Sequence, residues 1–182
     1  SLLRRGNVHG AMDMGLAPGL LPGRTTLADA DRFADAWPGV PDAVGRDTLA
    51  TLEAAADGQV DVLVLLGADL LADVPDRDLA RRALDGAGTV IALDLFATET
   101  VASADVVLPA AGPTEVDGTF TNLERRIQRL KPGRELPEGG ARPEWRVICD
   151  VAHKMGAPGF LLMSPSETMD EIARVAPIYA RV

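Results

Sequence analysis

TVIALDLFATETVASADVVLPAAGPTEVDGTFTNLERRIQ, residues 89–128, is the stretch whose reading decides the fold. Thr89–Leu95 is a short, nearly unbroken apolar run with β-branched members, the pattern of a strand covered on both faces. Glu99–Ala104 reads as a brief helix, and Asp105–Leu108 returns as a further strand stopped by Pro109. The polar segment that follows bunches Gly118, Thr119, Asn122, Glu124 and Arg125, and its partial alternation predicts irregular β-structure over 114–129.

Upstream, Val60–Leu66 (VDVLVLL) is another buried-type strand, ended by Gly67-Ala68-Asp69. Asp47 sits where an N-cap would open a helix to about Ala56, and a second helix is expected from about Asp76 to Leu84. Strand, helix, strand, helix, strand at this spacing implies a parallel sheet with right-handed crossovers. The expected class is α/β: a partial Rossmann-like parallel sheet with flanking helices, then an irregular β and loop segment, then C-terminal helices. Glu144–Met155 places Trp145, Ile148, Ala152 and Met155 on one face. Ser164-Pro165-Ser166-Glu167 reads as a capping box opening a helix to about Val175. Residues 1–46 read as extended loops with one short helix near Asp29–Ala36. The expected division is 1–112 for the Rossmann-like half and 113–182 for the remainder.

With 47% hydrophobic and 25% charged residues the chain has a globular balance, but aromatics are only 4%, so Leu, Val, Ile and Ala must build its core. The formal charge of -9 argues against a nucleic-acid or anionic-membrane surface, which needs a basic stripe. Arg125, Arg126, Arg129, Lys131 and Arg134 form a local basic cluster, read first as a solvated face and second as a contact for a phosphate or an acidic partner. A single cysteine, Cys149, excludes an internal disulfide and a multi-cysteine cluster within these residues, and its helical setting makes it a buried small side chain. No apolar run approaches the roughly 20 residues of a membrane span. The opening SLLRRGNVHGAMDMG has no signal-peptide core, which fits a cytoplasmic setting, and reads as the interior of a larger polypeptide.

A parallel sheet binds ligands at the carboxyl ends of its strands. Gly67 there would let a phosphate or nucleoside approach the backbone, and Asp69 or Asp94 would accept bonds from a ribose hydroxyl or a guanine edge. Thr98 opens a helix. For each of these side chains, capping of a turn or helix is the simpler alternative to a ligand role. Neither a G-x-G-x-x-G turn after a strand nor a phosphate-binding P-loop is present. His9 and His153 offer no nucleophile–base pair, and no catalytic residue is assigned.

Several segments, in order, resemble the large subunits of the molybdopterin oxidoreductase family. Asn7-Val8-His9-Gly10-Ala11-Met12-Asp13-Met14-Gly15, with Pro18 and Pro22-Gly23, is similar to its N-V-Q-G-A-x-D-M-G…P…P-G segment. Asp94-Leu95-Phe96-Ala97-Thr98-Glu99-Thr100 and Ala104-Asp105-Val106-Val107-Leu108-Pro109-Ala110 follow its D-x-F-x-T-E-T…A-D-V-x-L-P-A. Glu115, Asp117–Asn122, Glu124-Arg125-Arg126 and Gln128 follow its E-x-D-G-T-F-T-N-x-E-R-R-x-Q, and Pro143-Glu144-Trp145 follows its P-x-W helix.

The resemblance implies one of two roles. In the first, the chain is a scaffold segment of a respiratory electron-transfer protein, the G subunit of NADH-quinone oxidoreductase, inactive alone and with no cofactor inside it. In the second, it is part of a bis-molybdopterin guanine dinucleotide enzyme of the formate dehydrogenase type. There Gly67, Asp69, Asp94 and Thr98 would line the nucleotide, and Gly118, Thr119 and Asn122 would lie near the pterin. Iron–sulfur clusters would belong to the parent in either case, and no metal ligand is assigned here. The implied partners are the remainder of the same large subunit and other respiratory-complex subunits, with no nucleic acid and no direct membrane insertion. The implied location is cytoplasmic, peripheral to the inner face of the plasma membrane. Leu3 stands where active formate dehydrogenases carry arginine, and His9 replaces glutamine. Both departures favour the scaffold role.

Overall fold

The computed structural model describes residues 6–37, 39–136 and 140–180. In chain order its main elements are α1 (Val8–Asp13), β1 (Leu20–Leu21), β2 (Thr25–Thr26), α2 (Thr48–Ala56), β3 (Val62–Leu66), α3 (Leu70–Asp73), α4 (Arg77–Gly86), β4 (Thr89–Asp94), α5 (Glu99–Ala102), β5 (Val106–Pro109), β6 (Gly118–Thr121), β7 (Ile127–Leu130), α6 (Glu144–Lys154) and α7 (Pro165–Val175). They divide into two compact units: residues 46–116 with 132–157, and residues 1–45 with 117–131 and 158–182.

The first of these units is the α/β part. β3, β4 and β5 form a three-stranded parallel sheet in sequence order, with Leu63 opposite Val90 and Ala92 opposite Val107. The expected strand–helix–strand alternation is therefore present. Asp47 caps α2 by accepting from the Ala50 amide at 2.8 Å, and Asp76 caps α4 through the Leu79 amide at 2.9 Å. Asp105 takes the Val90 amide at 2.7 Å, which pins the start of β4 to the turn before β5.

Leu63, Leu65, Val90 and Ala92 point into a core completed by Leu52, Ala55, Leu79, Ala80, Ala83 and Leu84 from α2 and α4. Small residues let those helices approach closely. A Cβ on Gly86 would run into the Ala55 carbonyl oxygen, and one on Gly88 would meet the Asp61 oxygen at 2.7 Å. The sequence pattern had β3 covered on both faces, and here the structure differs. Val62, Val64 and Leu66 are exposed while Leu63 and Leu65 are buried. The cause is that α2, α4 and the buried Val101 of α5 share one core, leaving Leu93 as the one buried strand residue on the opposite face. The inward face expected for α6 is also rotated. Cys149 is its buried residue, whereas Ile148 and Met155 are exposed.

The other unit has little regular structure and a separate core of Phe33, Val175, Ala176 and Tyr179. Phe33 stacks on Trp37 with ring centroids 5.3 Å apart, and the Trp37 indole donates to Glu171 at 2.6 Å. The short helix expected near 29–36 is a 3-10 helix over Leu27–Phe33, and α1 adds a helix not foreseen. The segment expected to be irregular is a regular antiparallel hairpin, β6–β7. Ser164 caps α7 as expected, but Glu167 reaches back to the Met163 amide rather than closing the box on Ser164 itself.

The tight α2–α4 crossing yields a measurable consequence. Gly86→Val should lower stability by about 1–3 kcal/mol in urea unfolding, the usual cost of overpacking. Gly45→Ala, at a site with open space around it, should leave the midpoint nearly unchanged.

Candidate functional site

The carboxyl ends of β3 and β4 bring Gly67, Asp69, Asp94 and Thr98 to one edge of the parallel sheet. Gly67 has φ +55 and donates its amide to the Leu93 oxygen at 2.8 Å. Nothing lies within 4 Å of the place a Cβ would take, so glycine is required by the left-handed backbone and not by crowding. The space beside it is open to a ligand.

The side chains at this edge are engaged by their own polypeptide. Asp69 accepts from the hydroxyl of fully buried Thr100 at 2.5 Å, and that same hydroxyl takes the Leu71 amide at 3.0 Å. Thr100 thereby satisfies the start of α3 and ties it to α5. One oxygen of Asp94 collects the amides of Leu95 and Phe96 at 2.6 and 3.0 Å, an Asx turn that ends the strand. Thr98 caps α5 through the Val101 amide at 3.2 Å. Each aspartate keeps a second oxygen that accepts no bond among the described residues.

Glu99, beside this edge, is held by Arg77 and Arg81 at 2.5 and 3.0 Å. The Arg77 hydrogen bond, then that of Arg81, keeps the Glu99 carboxyl below its ordinary value. A depressed carboxyl contributes stability above its unfolded value and loses it as the pH falls through the lowered one.

Gly118, Thr119 and Asn122 belong to the other unit and line the β6–β7 hairpin. Gly118 opens β6 with no neighbour near a would-be Cβ. Thr119 pairs with Arg129 across the hairpin. The Asn122 side chain accepts from the amides of Glu124 and Arg126 at 3.0 and 2.9 Å and so shapes the turn. The basic cluster around this hairpin and beyond is locally neutralised: Arg126 pairs with Glu124, Arg129 with Asp117, and Arg134 with Glu115. That fits the solvated-face reading.

A second constellation escaped the sequence reading. Asp13, buried at the end of α1, receives both Arg24 and Arg125, the latter at 2.9 Å. Among the described residues these two arginines are the non-glycine positions with left-handed φ, 56° and 61°. Arg24 also donates to His9 Nδ1 at 3.2 Å. An arginine cannot accept, so Nδ1 bears the lone pair in this contact. Tyr179 donates to the Asp13 carbonyl at 3.4 Å, and burial together with the nearby Asp13 charge raises its phenol. Asn7 takes the Thr121 amide at 2.8 Å and so fastens α1 to β6. The sequence signal was faint: a lone acid between Met12 and Met14, with partners 11 and 112 positions away.

Among the described residues no three His, Cys, Asp or Glu side chains converge as metal ligands. Burial raises the Cys149 thiol, which suits a packed side chain. No described helix is long and apolar enough to cross a membrane. Leu3 lies outside the described residues.

The family model for molybdopterin oxidoreductases matches residues 5–154. The chain is 41% identical over 184 residues to the second NADH-quinone oxidoreductase G subunit of Rhizobium meliloti (strain 1021), covering 98% of this chain and 21% of that protein. It is 39% identical over 178 residues to F420-dependent formate dehydrogenase 2 subunit alpha of Methanococcus maripaludis, covering 96% and 26%. To NADPH-Fe(3+) oxidoreductase subunit alpha of Geobacter sulfurreducens it is 34% identical over 177 residues, covering 97% and 20%. It thus spans between 20% and 26% of the length of these curated relatives. Among solved structures, acetylene hydratase from Pelobacter acetylenicus shares the fold with a TM-score of 0.59 at 23% identity, covering 70% of this chain and 18% of that one.

Two outcomes check the geometry. Arg125→Gly should stay within about 1 kcal/mol of the parent, because relief of the left-handed backbone offsets a half-exposed ion pair, whereas Arg125→Ala should lose about 1 kcal/mol or more. Carboxyl NMR should titrate Glu99 below its ordinary value, and Arg77→Gln should move the midpoint up.

Proposed function

Because the chain belongs to the molybdopterin oxidoreductase family, we propose that it is a scaffold segment of a respiratory electron-transfer protein of the NADH-quinone oxidoreductase G-subunit type. The observation that carries this reading is the engagement of the strand-end side chains by their own polypeptide. Asp69 is spent on Thr100, Asp94 on an Asx turn and Thr98 on a helix cap, so the edge is complete as structure. His9, in place of the family's glutamine, is likewise occupied by Arg24. In this reading the segment keeps the family's sheet while electron transfer belongs to iron–sulfur clusters elsewhere in the parent. Its partners are the remainder of the large subunit and neighbouring subunits on the cytoplasmic side of the membrane.

A second reading is supported by Gly67 and by the free oxygens of Asp69 and Asp94. A left-handed glycine with open space beside it, flanked by two acceptors, fits the nucleoside part of a guanine dinucleotide. Gly67, Asp69, Asp94 and Thr98 would hold that nucleotide, and Gly118, Thr119 and Asn122 would lie toward the pterin. The bound group would supply molybdenum redox chemistry, and these residues would orient it.

Metal and pterin analysis of the subunit purified in its native complex separates the two. The scaffold reading expects no molybdenum above trace, and one molybdenum with two pterins per subunit would overturn it. In that event Asp94→Ala should release cofactor while the protein stays folded.

A further inference from the structure

The contact between Arg24 and His9 depends on the charge of the imidazole. Gly23 and Arg24 are consecutive left-handed residues, with φ of 78° and 56°. Glycine adopts that backbone freely, but at an arginine it costs free energy that side-chain contacts have to offset. Arg24 has two such contacts: Nε donates to Asp13, and Nη2 donates to His9 Nδ1 at 3.2 Å. An imidazole accepts at Nδ1 only while that nitrogen is bare, and a protonated ring is a donor at both nitrogens. Protonation of half-buried His9 therefore turns an attraction into a contact between two cations.

The groups around the ring do not compensate for that charge. α1 packs against the turn Pro22–Arg24 and against β6. The turn brings Arg24. β6 has no ionisable side chain, and the loop after it brings Arg125, while Glu124 and Arg126 pair with one another. Tyr179, from the short 3-10 helix Pro177–Tyr179, faces the Asp13 carbonyl with its phenol raised, so it adds no negative charge. Asp13, one turn along α1 from His9, is the single anion of the cluster, and one of its oxygens already holds both guanidiniums. A charged His9 would be a third cation on one carboxylate, with two repulsions set against one attraction.

We propose that His9 is a proton-operated latch: neutral, it holds the Arg24 turn against α1, and protonated, it releases that turn. Histidine is the side chain whose charge changes between about pH 5 and 8. The closed joint needs the neutral ring, so its stabilising contact is present at the upper end of that range and is lost as the pH falls and the ring takes up a proton. The latch goes beyond both the scaffold and the cofactor readings and depends on neither.

Amide hydrogen exchange and ring nitrogen NMR on the 182-residue chain test it. The Met14 and Leu16 amides, which bond back to Gly10 and Ala11, report on the α1 end of the joint. Gly67 and Leu71, bonded within the α/β unit, serve as the reference for global folding. After correction for intrinsic exchange, protection of Met14 and Leu16 should fall at least about 5-fold between about pH 8 and pH 5, with the reference amides unchanged. His9→Gln keeps a neutral acceptor at every pH and should abolish the fall, holding protection within about twofold across the same range. The other histidine, His153, lies in the other unit and remains in this variant, so it cannot account for the difference. At the upper pH the His9 ring should carry its hydrogen on Nε2. A hydrogen on Nδ1 instead would overturn the proposal, and this measurement needs no substitution. So would constant protection in the unsubstituted chain, or an equal fall in His9→Gln, which would assign the pH dependence to another group.

Discussion

Parallel pairing of β3, β4 and β5 is the constraint on which the α/β unit depends. Parallel neighbours cannot be joined by a hairpin, so each strand must be followed by a return over the sheet. In this chain the returns are α3–α4 and α5, and both have to fit over a few strands of four to six residues. The space allowed is small, and the sequence meets it with Ala55, Ala80, Ala83 and Gly86 where α2 and α4 cross. The same connectivity brings the ends of β3 and β4 to one edge, which is why Gly67, Asp69, Asp94 and Thr98 meet there although up to 31 positions separate them in the chain.

That edge shows how one set of polar groups can serve two ends. A strand that stops and a helix that starts both leave amides without partners, and short acidic and hydroxyl side chains are the natural acceptors. Thr100, with Asp69 on one side and the Leu71 amide on the other, is the clearest case. The residues that would make a nucleotide site are therefore the same residues that close the scaffold. Family membership alone does not separate the uses, since relatives carrying both kinds of name share a third or more of their residues with this chain.

Much of this was legible in the sequence for definite reasons. β3, β4 and the caps at Asp47 and Ser164 depend on local chemistry: a run of Val and Leu, an aspartate before a helix, a serine before proline. The strand-end positions followed from the same local signals. What the sequence concealed depends on contacts between distant residues. The open face of β3 was hidden because Val62 and Leu63 look alike until the helices choose a side. Ile148 and Met155 turned outward for a comparable reason, although Cys149 on the same helix is buried as its residue type suggested. The Asp13 cluster joins residues from α1, from the loop after β1 and from the β6–β7 turn, and no spacing rule connects them.

Asp13 has a bearing on the order in which the chain acquires its structure. The α/β unit is drawn mostly from one continuous stretch, residues 46–116, whereas the other unit is assembled from three stretches separated by it. Asp13 finds Arg24 11 positions away, but Arg125 and the Tyr179 hydroxyl lie 112 and 166 positions further along the chain. Contacts of such high sequence separation form slowly, whereas the parallel sheet draws on nearer ones. The carboxylate of Asp13 is thus a late clasp, holding together stretches that the α/β unit keeps apart in the chain.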